Sequence, residues 1–595
     1  MQPAMQPAGL CSHAAMQHAS RGENPRRYNF ALLPCARPPD SAELASRIRI
    51  IISISISISI SISISINIRT STSITSIIMA LEAHLTAPNG VQLTLPTGLF
   101  INNEFVQGSA AHKITSVSPS SGLEICAVEA ASADDVDRAV AAARAAFADA
   151  SWRGLAGGAR GALMLRLAEL VEQHRRELAT LETWDNGKPY AVALGEDLVE
   201  VAGCLRYYAG WADKIHGQTI PTAAPAAKLA YTLKQPVGVC AQIIPWNYPL
   251  AMAAWKLGPA LAAGNTVVLK PAEQTPLSIL YLAALVRQAG FPPGVVNVLN
   301  GLGREAGAAL ASHPGVRKVA FTGSTPTGRE IMKAAAGSLK NVTLETGGKS
   351  PLLVFADADV QQAARWAYVG IMSNQGQVCT ATSRLLVHRP VVGDFVREFL
   401  DVLRSSVKIG DPFAEDTTHG PQVSQAQYDK ILAYIESAKS QGAKLEAGGS
   451  SARSAVGGSG GGGNDGSGSG LGNGFFIEPT VFSNVTPDMS VFKEEVFGPL
   501  VTITPFEDET EAVALANDSI YGLGAAVFSQ NIERAHRVAA ALEAGMVWVN
   551  SSNDSEIQVP FGGVKQSGIG RELGEAGLAA YTETKAVHIN LGSKL

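Results

Sequence analysis

The sequence predicts an α/β fold built on a doubly wound parallel sheet, from three observations. Between Pro236 and Gly348 lie four short apolar runs rich in β-branched residues: V-G-V-C-A-Q-I-I, T-V-V-L, V-V-N-V-L and K-V-A-F. Strands covered on both faces read this way, because neither face meets water. Helical stretches such as 277–289 and 327–336 separate the runs, and alternating strand and helix implies parallel pairing. A second α/β segment follows Gly348, and 595 residues are enough for several domains around a large core.

In chain order, residues 1–78 stand apart from this pattern. They hold seven Arg, no Lys and three acids, a net charge of +4. An Arg- and Ser-bearing, acid-poor composition is that of a transit segment. The Ile-Ser alternation from Ile52 to Ile66 has the period of a strand, and half its positions are polar, which disfavours a membrane helix. Three readings follow: a repetitive tract upstream of a start at Met79, an organelle-targeting segment, or a strand. The protein is expected to be cytoplasmic in the first case and mitochondrial or plastid in the second.

The ordered part is expected to begin near Leu99. Ser132 should cap a helix with Asp134 and Asp135 in its first turn and Val136, Val140, Ala143 and Phe147 on one face. A second helical run covers 162–182. K-L-A-Y-T-L-K-Q-P alternates as an exposed strand does. G-L-G-R-E-A-G at 301–307 approaches a dinucleotide fingerprint without matching it. The Gly/Ser-rich stretch 448–474 reads as a flexible surface loop, and A-A-Y-T-E-T-K-A-V-H-I-N as a terminal strand.

Composition excludes several function classes. A net charge of −5 supplies no basic patch, so nucleic acid is not an expected partner. The six Cys (11, 35, 126, 204, 240 and 379) form no C-x-x-C pairs, so neither structural zinc nor a disulfide framework is expected. No metal site and no membrane association are expected.

The chemistry concentrates between Val342 and Arg384. Glu345 precedes Gly347 and Gly348, and Cys379 stands 34 residues further on, after Gly376. A lone Cys is usually a small buried hydrophobe, and a lone Glu is usually part of a solvated face. Held at points where glycine lets the backbone turn or approach a ligand, the pair can serve as nucleophile and general base. Four further segments accompany it: Q-I-I-P-W-N-Y-P-L at 242–250, V-V-L-K-P-A-E-Q-T-P at 267–276, F-T-G-S-T-P-T-G at 321–328 and E-E-V-F-G-P at 494–499.

Together these resemble the aldehyde dehydrogenase superfamily, most of all the NAD-dependent cytosolic and mitochondrial class, over about Leu99 to Leu595. The residues around the thiol, Q-V-C-T-A-T-S-R, look more like betaine-aldehyde and aminoaldehyde dehydrogenases. The resemblance implies a Rossmann-like NAD-binding domain (86–217 and 237–347), a catalytic domain (348–566) and a β oligomerisation arm (218–236 and 578–595), assembled as a homotetramer or homodimer. It implies NAD-dependent oxidation of an aldehyde to an acid. Cys379 would be the nucleophile, Asn247 the oxyanion donor, Glu345 the base, and Lys256 and Glu572 a proton relay. A catalytically silent protein on this fold would be expected to lose one of Asn247, Glu345 and Cys379, and all three are present.

The resemblance places NAD against Ile243, Ile244, Trp246, Lys270, Glu273, Gly303, Gly307, Phe321, Gly323, Ser324, Thr327, Thr346, Gly347, Gln427, Lys430, Glu495 and Phe497. A carboxylate at Glu273 accepts from a ribose 2′-OH and repels a 2′-phosphate, which favours NAD over NADP. Thr346 stands where the family usually has Leu. The aldehyde tunnel would be lined by Tyr248, Met252, Trp255, Met372, Ser373, Ser555 and Phe561. Two small polar residues, Ser373 and Ser555, should widen it and wet its wall. Asp554 and Glu556 would add negative charge for a cationic aldehyde, with Tyr248 and Trp255 offering aromatic faces.

Overall fold

The architecture is that of a computed structural model, which describes residues 81–453 and 471–592. Contacts divide the chain into Met1–Thr75 and Ser76–Leu595. The first unit, with the Ile-Ser tract, lies outside the described residues, as do 454–470.

Two sheets carry the second unit. The first has eight strands, in the spatial order Gly568–Ile569, Asn341–Glu345, Lys318–Thr322, Val239–Ile243, Thr266–Lys270, Val296–Val298, Leu99–Ile101 and Glu104–Val106. Its five inner strands are parallel, and antiparallel strands close both edges. The buried runs read from the sequence are four of these five inner strands, and their residues are shielded from water. The chain leaves Val239–Ile243 toward one edge and returns beside it at Lys318–Thr322. The order therefore reverses between these two strands, and ligands of such sheets bind at the carboxyl ends of strands where this happens.

The second sheet has seven strands: Lys444–Ala447, Thr480–Ser483, Leu500–Phe506, Arg384–His388, Pro351–Val354, Gly524–Phe528 and Met546–Val549. All pair in parallel except the first. A third sheet joins Lys228–Pro236 to Thr582–Asn590 over nine register pairs, with Thr219–Ile220 at its edge. Both strands expected at the arm are present and lie side by side.

Local chemistry explains the element ends. Ser132 accepts from Asp134 N and Asp135 closes the capping box on the helix Ala133–Ala148. Three expectations need correction. The ordered chain begins earlier than Leu99: Glu82–Thr86 and Gln92–Pro96 form a hairpin about Asn89–Gly90, with Gly90 at φ 77°. Leu93 and Leu95 bury against Leu181, Leu277 and Leu280. The helical run 162–182 is two helices, Gly157–Gln173 and Arg175–Asn186, because His174 leaves helical geometry at φ −102°, ψ 22°. The ends of the Gly/Ser-rich stretch are anchored. Ala452 is buried, Ser451 bridges to Ile477, and Arg453 Nε donates to Gly474 O at 2.8 Å.

Arg384 is the largest polar side chain in the core of the second sheet, 1% exposed. Its guanidinium donates to three carbonyls: Lys349 O at 2.9 Å, Leu515 O at 3.0 Å and Ala516 O at 2.8 Å. The last two belong to the final turn of the helix Glu509–Asn517, where carbonyls lack intrahelical partners. Arg384→Met strands all three, at ~1–3 kcal/mol per orphaned group. A large fall in the urea midpoint is expected. Arg384→Lys should recover little of it, since one ammonium cannot reproduce the planar fork.

Candidate active site

The carboxyl ends of four parallel strands converge at the reversal point of the first sheet. Val239–Ile243 leads into Trp246 and Asn247, Lys318–Thr322 into Gly323 and Ser324, and Asn341–Glu345 ends on Glu345. Thr266–Lys270 ends on Lys270 and leads to Glu273. A cavity of about 840 Å³ opens there, lined by Trp246, Asn247, Gly323, Ser324, Glu345 and Gly347 from the first sheet. Cys379, Gln427, Lys430, Glu495 and Phe497 line it from the second.

The backbone before Cys379 is held in a rare conformation. Asn374, Gln375 and Gly376 have φ of 46°, 57° and 74°, a left-handed run that side chains other than glycine resist. A Cβ on Gly376 would meet Gly498 O at 2.1 Å. Hydrogen bonds hold the turn. Asn247 Nδ2 donates to Gln377 O at 2.9 Å, Asn374 Nδ2 donates to Asn247 O at 2.9 Å, and Asn186 Nδ2 donates to Trp246 O at 2.7 Å. The Asn247 amide thus points at the Cys379 turn and retains a second N–H. Cys379 is half-buried. Burial, then Glu495 and Glu345, push its thiol up to about 12.

Glu345 is 2% exposed, and neither carboxyl oxygen has a hydrogen-bond partner among the described residues. Burial, then the nearby Glu572, raises it well above the usual carboxylate range. Gly562 makes room for it, since a Cβ there would lie 2.6 Å from Glu345 Oε1. Glu572 also lines the cavity. It accepts from Lys256 Nζ at 2.5 Å, and Lys256 donates on to Thr322 Oγ1 at 2.6 Å. Lys256 is fully buried.

Glu495 lies over Gly347, where a Cβ would approach its Oε2 to 2.2 Å, and accepts from Gly348 N at 3.0 Å. Phe497, at φ 62°, stands edge-on to Trp246 at 5.2 Å. Gln427 Nε2 donates to Phe497 O at 2.7 Å and Lys430 Nζ to Glu495 O at 3.3 Å. Lys270 pairs with Glu273 at 3.5 Å, and a Cβ on Gly307 would meet the Lys270 stem at 3.6 Å. Ser324 caps the helix Thr325–Ala336 and its Oγ lies 2.9 Å from Thr327 Oγ1. Gly303 is exposed with open space about it.

Some residues expected to meet the nucleotide do so with the backbone at most. The side chains of Ile243, Ile244 and Phe321 are packed in the core. The hydroxyl of Thr346 donates to Gln566 O at 2.7 Å, so its polarity is satisfied away from the cavity.

On the aldehyde side Tyr248, Met252, Trp255, Ser373, Ser555 and Phe561 line the cavity as expected. Met372 does not: it is 3% exposed, inside the core of the second sheet. Val369 lines the cavity instead, one helical turn before Ser373 on the same face. Ser373 Oγ donates back to Val369 O at 2.8 Å, so it wets the wall less than expected. Asp554 is exposed and outside the lining, whereas Glu556 belongs to it. Sequence reasoning missed Glu196, Asp197, Val199 and Glu200, which line the outer wall. The E-D-L-V-E spacing at 196–200 puts Glu196 and Glu200 on one helical face and was the available signal.

The model of the aldehyde dehydrogenase family matches residues 105–587. An aldehyde dehydrogenase of Emericella nidulans is 52% identical over 502 residues, 84% of this chain and 96% of that one. Among solved structures, an NAD+ complex of aldehyde dehydrogenase from Bacillus cereus is 47% identical at a TM-score of 0.78, covering 83% of this chain and 97% of that one. A betaine aldehyde dehydrogenase from Staphylococcus aureus, also with NAD+, is 40% identical at a TM-score of 0.79, covering 84% and 99%. Likeness of this extent makes the chain a member of the aldehyde dehydrogenase family, and thereby an aldehyde-oxidising oxidoreductase.

Proposed function

We propose that the protein oxidises aldehydes to carboxylic acids with NAD, through a thiohemiacetal and then a thioester on Cys379. The observation that carries this reading is that Cys379, Asn247 and Glu345 line one cavity with Glu495 and Phe497. In thiolate form Cys379 attacks the aldehyde carbon. The oxyanion accepts from the free N–H of Asn247 Nδ2 and from the Cys379 backbone N–H. NAD, when bound, takes up the hydride whose loss leaves the thioester. Glu345 removes a proton from the hydrolytic water, the acid departs and Cys379 leaves as the thiolate. Glu572 and Lys256 carry the proton onward.

The residues present fit NAD. Gly347 leaves a cradle beneath Glu495 that any side chain would fill. Lys270 and Glu273 stand paired at the carboxyl end of a parallel strand, where an adenosine ribose would be held. The NAD+ complexes of two relatives support this choice. The three-stranded sheet leaves Leu229 and Leu233 exposed, which suits assembly as a homotetramer or homodimer.

A second reading, an aminoaldehyde or betaine-aldehyde dehydrogenase, is favoured by four carboxylates on the cavity wall: Glu196, Asp197, Glu200 and Glu556.

NADH formation across an aldehyde panel tests the main reading. The cavity volume is within the ~300–1,000 Å³ of small-molecule sites, so kcat/KM for hexanal should equal or exceed that for acetaldehyde. Cys379→Ala should abolish NAD reduction while NAD binding, followed by fluorescence quenching, persists. Retained turnover would remove Cys379 from the mechanism.

Glu345→Gln should slow deacylation, so that intact-mass spectrometry after mixing with aldehyde and NAD finds a thioester. Because burial raises the Glu345 carboxyl, its basic form grows as pH rises, and deacylation in the native enzyme should climb with pH. That limb should vanish in the Gln variant. Glu273→Ser should raise the relative kcat/KM for NADP. An unchanged NAD/NADP ratio would mean that the ribose is read elsewhere.

A further inference from the structure

Neither carboxyl oxygen of Glu345 has a hydrogen-bond partner among the described residues, so its backbone places it. Glu345 O accepts from Gly323 N at 3.1 Å, and Thr346 N donates to Ser567 O at 2.9 Å. Ser567 Oγ donates to Gly347 O at 2.7 Å. These contacts need nothing from the side chain at position 346.

One further contact belongs to that side chain. The Thr346 hydroxyl donates to Gln566 O at 2.7 Å, and the residue is buried. Its acceptor is a fixed post. Gln566 lies in the 3₁₀ turn Lys565–Ser567, where its N–H donates to Ile520 O at 3.0 Å and Lys565 Nζ donates to Asn517 O at 2.9 Å. Thr325, the first residue of the helix Thr325–Ala336, donates to the same carbonyl at 3.4 Å, and its Oγ1 accepts from Gly347 N at 3.3 Å. Two threonine hydroxyls thus close a ring of hydrogen bonds around the backbone that follows Glu345, and the Thr346 bond is its shortest member. Gly328 leaves room for the Thr346 methyl, since a Cβ there would lie 2.7 Å from Thr346 Cγ2.

We propose that Thr346 is a positioning residue for thioester hydrolysis: its hydroxyl pins the loop from which Glu345 reaches the hydrolytic water. This rests on the reading of Glu345 as the base. A side chain with no partner inherits its position from its backbone, and a base must come within hydrogen-bond reach of the proton it takes. Without the hydroxyl, Gln566 O keeps just the 3.4 Å donor among the described residues. A buried carbonyl short of a donor favours any shift of the loop that brings one. Hydride transfer comes before the water acts, so it should depend far less on the pin. The Glu345 carboxyl is raised by burial first and then by Glu572, against Lys256 and Arg571, and it in turn raises the Cys379 thiol. A loosened carboxyl gains water, which moves its titration toward the usual carboxylate range.

Rapid-quench intact-mass spectrometry with hexanal and NAD follows the thioester, and stopped-flow absorbance follows NADH. Thr346→Val removes the hydroxyl at constant volume, and Thr346→Ala removes it with the methyl. In both, thioester decay should slow about tenfold, the scale of a base displaced by a fraction of an ångström, while the first-turnover NADH rate stays within about threefold of native. The rising limb of decay against pH should move to lower pH. Thr346→Ser keeps the donor and should restore the native midpoint and most of the rate. Decay and midpoint unchanged in the Val and Ala variants overturn the assignment. So does equal slowing of both steps at an unmoved midpoint, the mark of a general disturbance, and so does a Ser variant that behaves as Val. Glu345→Gln separates the two readings. A persistent thioester there, with native-like Thr346 variants, overturns the positioning role alone. Rapid decay there removes the base and the positioning role together.

Discussion

Two hydrogen bonds between side-chain amides and backbone carbonyls tie the catalytic halves of the protein together. Asn247 donates to Gln377 O and Asn374 donates to Asn247 O. The first residue follows an inner strand of one sheet, and the other two belong to the turn that precedes Cys379. Both groups are buried, where unpaired amides are costly, so the pairing sets one relative position for the two loops. The left-handed run through Gly376 and its close approach to Gly498 are tolerable only in that position. The Cys379 thiol and the Asn247 amide are consequently placed by the same contacts, which suits the preorganised site that the proposed mechanism needs.

Burial governs the electrostatics. Glu345, Glu495 and Glu200 are carboxylates raised by desolvation, and Cys379 is a thiol raised by it. Glu572 opposes the ionisation of Glu345, while Lys256 Nζ is committed to Glu572 and Thr322. Burial thus biases these three carboxyl groups and the Cys379 thiol toward their neutral forms. The outer wall follows a different rule. Lys188 compensates Asp197, and the indole of Trp255 steadies Glu200.

Much of this was legible in the sequence. The four buried runs are four of the five inner strands because continuous β-branched sequence has few other stable uses. Cys379 and Glu345 could be singled out because glycines frame them, and Asn247 through the family resemblance that the ordered motifs carry. Ser132 announced a helix start through local hydrogen bonding, which depends on near neighbours only. The hairpin at 82–96 was missed although Asn89–Gly90 marks its turn, because its strands are short and become stable only against Leu181, Leu277 and Leu280. Met372 was misplaced for a similar reason: a few tens of degrees of helix rotation decide whether residue 369 or 372 meets the cavity.

The sequence by itself determined the fold class and the four buried runs of the first sheet, because local propensity and motif spacing are properties of neighbours along the chain. Only the tertiary structure decided which carboxylates share the cavity, that Thr346 turns its hydroxyl to Gln566, and that Trp255 holds Glu200. Those outcomes depend on groups 55 residues apart in the Trp255–Glu200 contact and 316 apart in the Lys256–Glu572 contact. Their energies arise from burial and from directional hydrogen bonds, which exist only once the chain has packed.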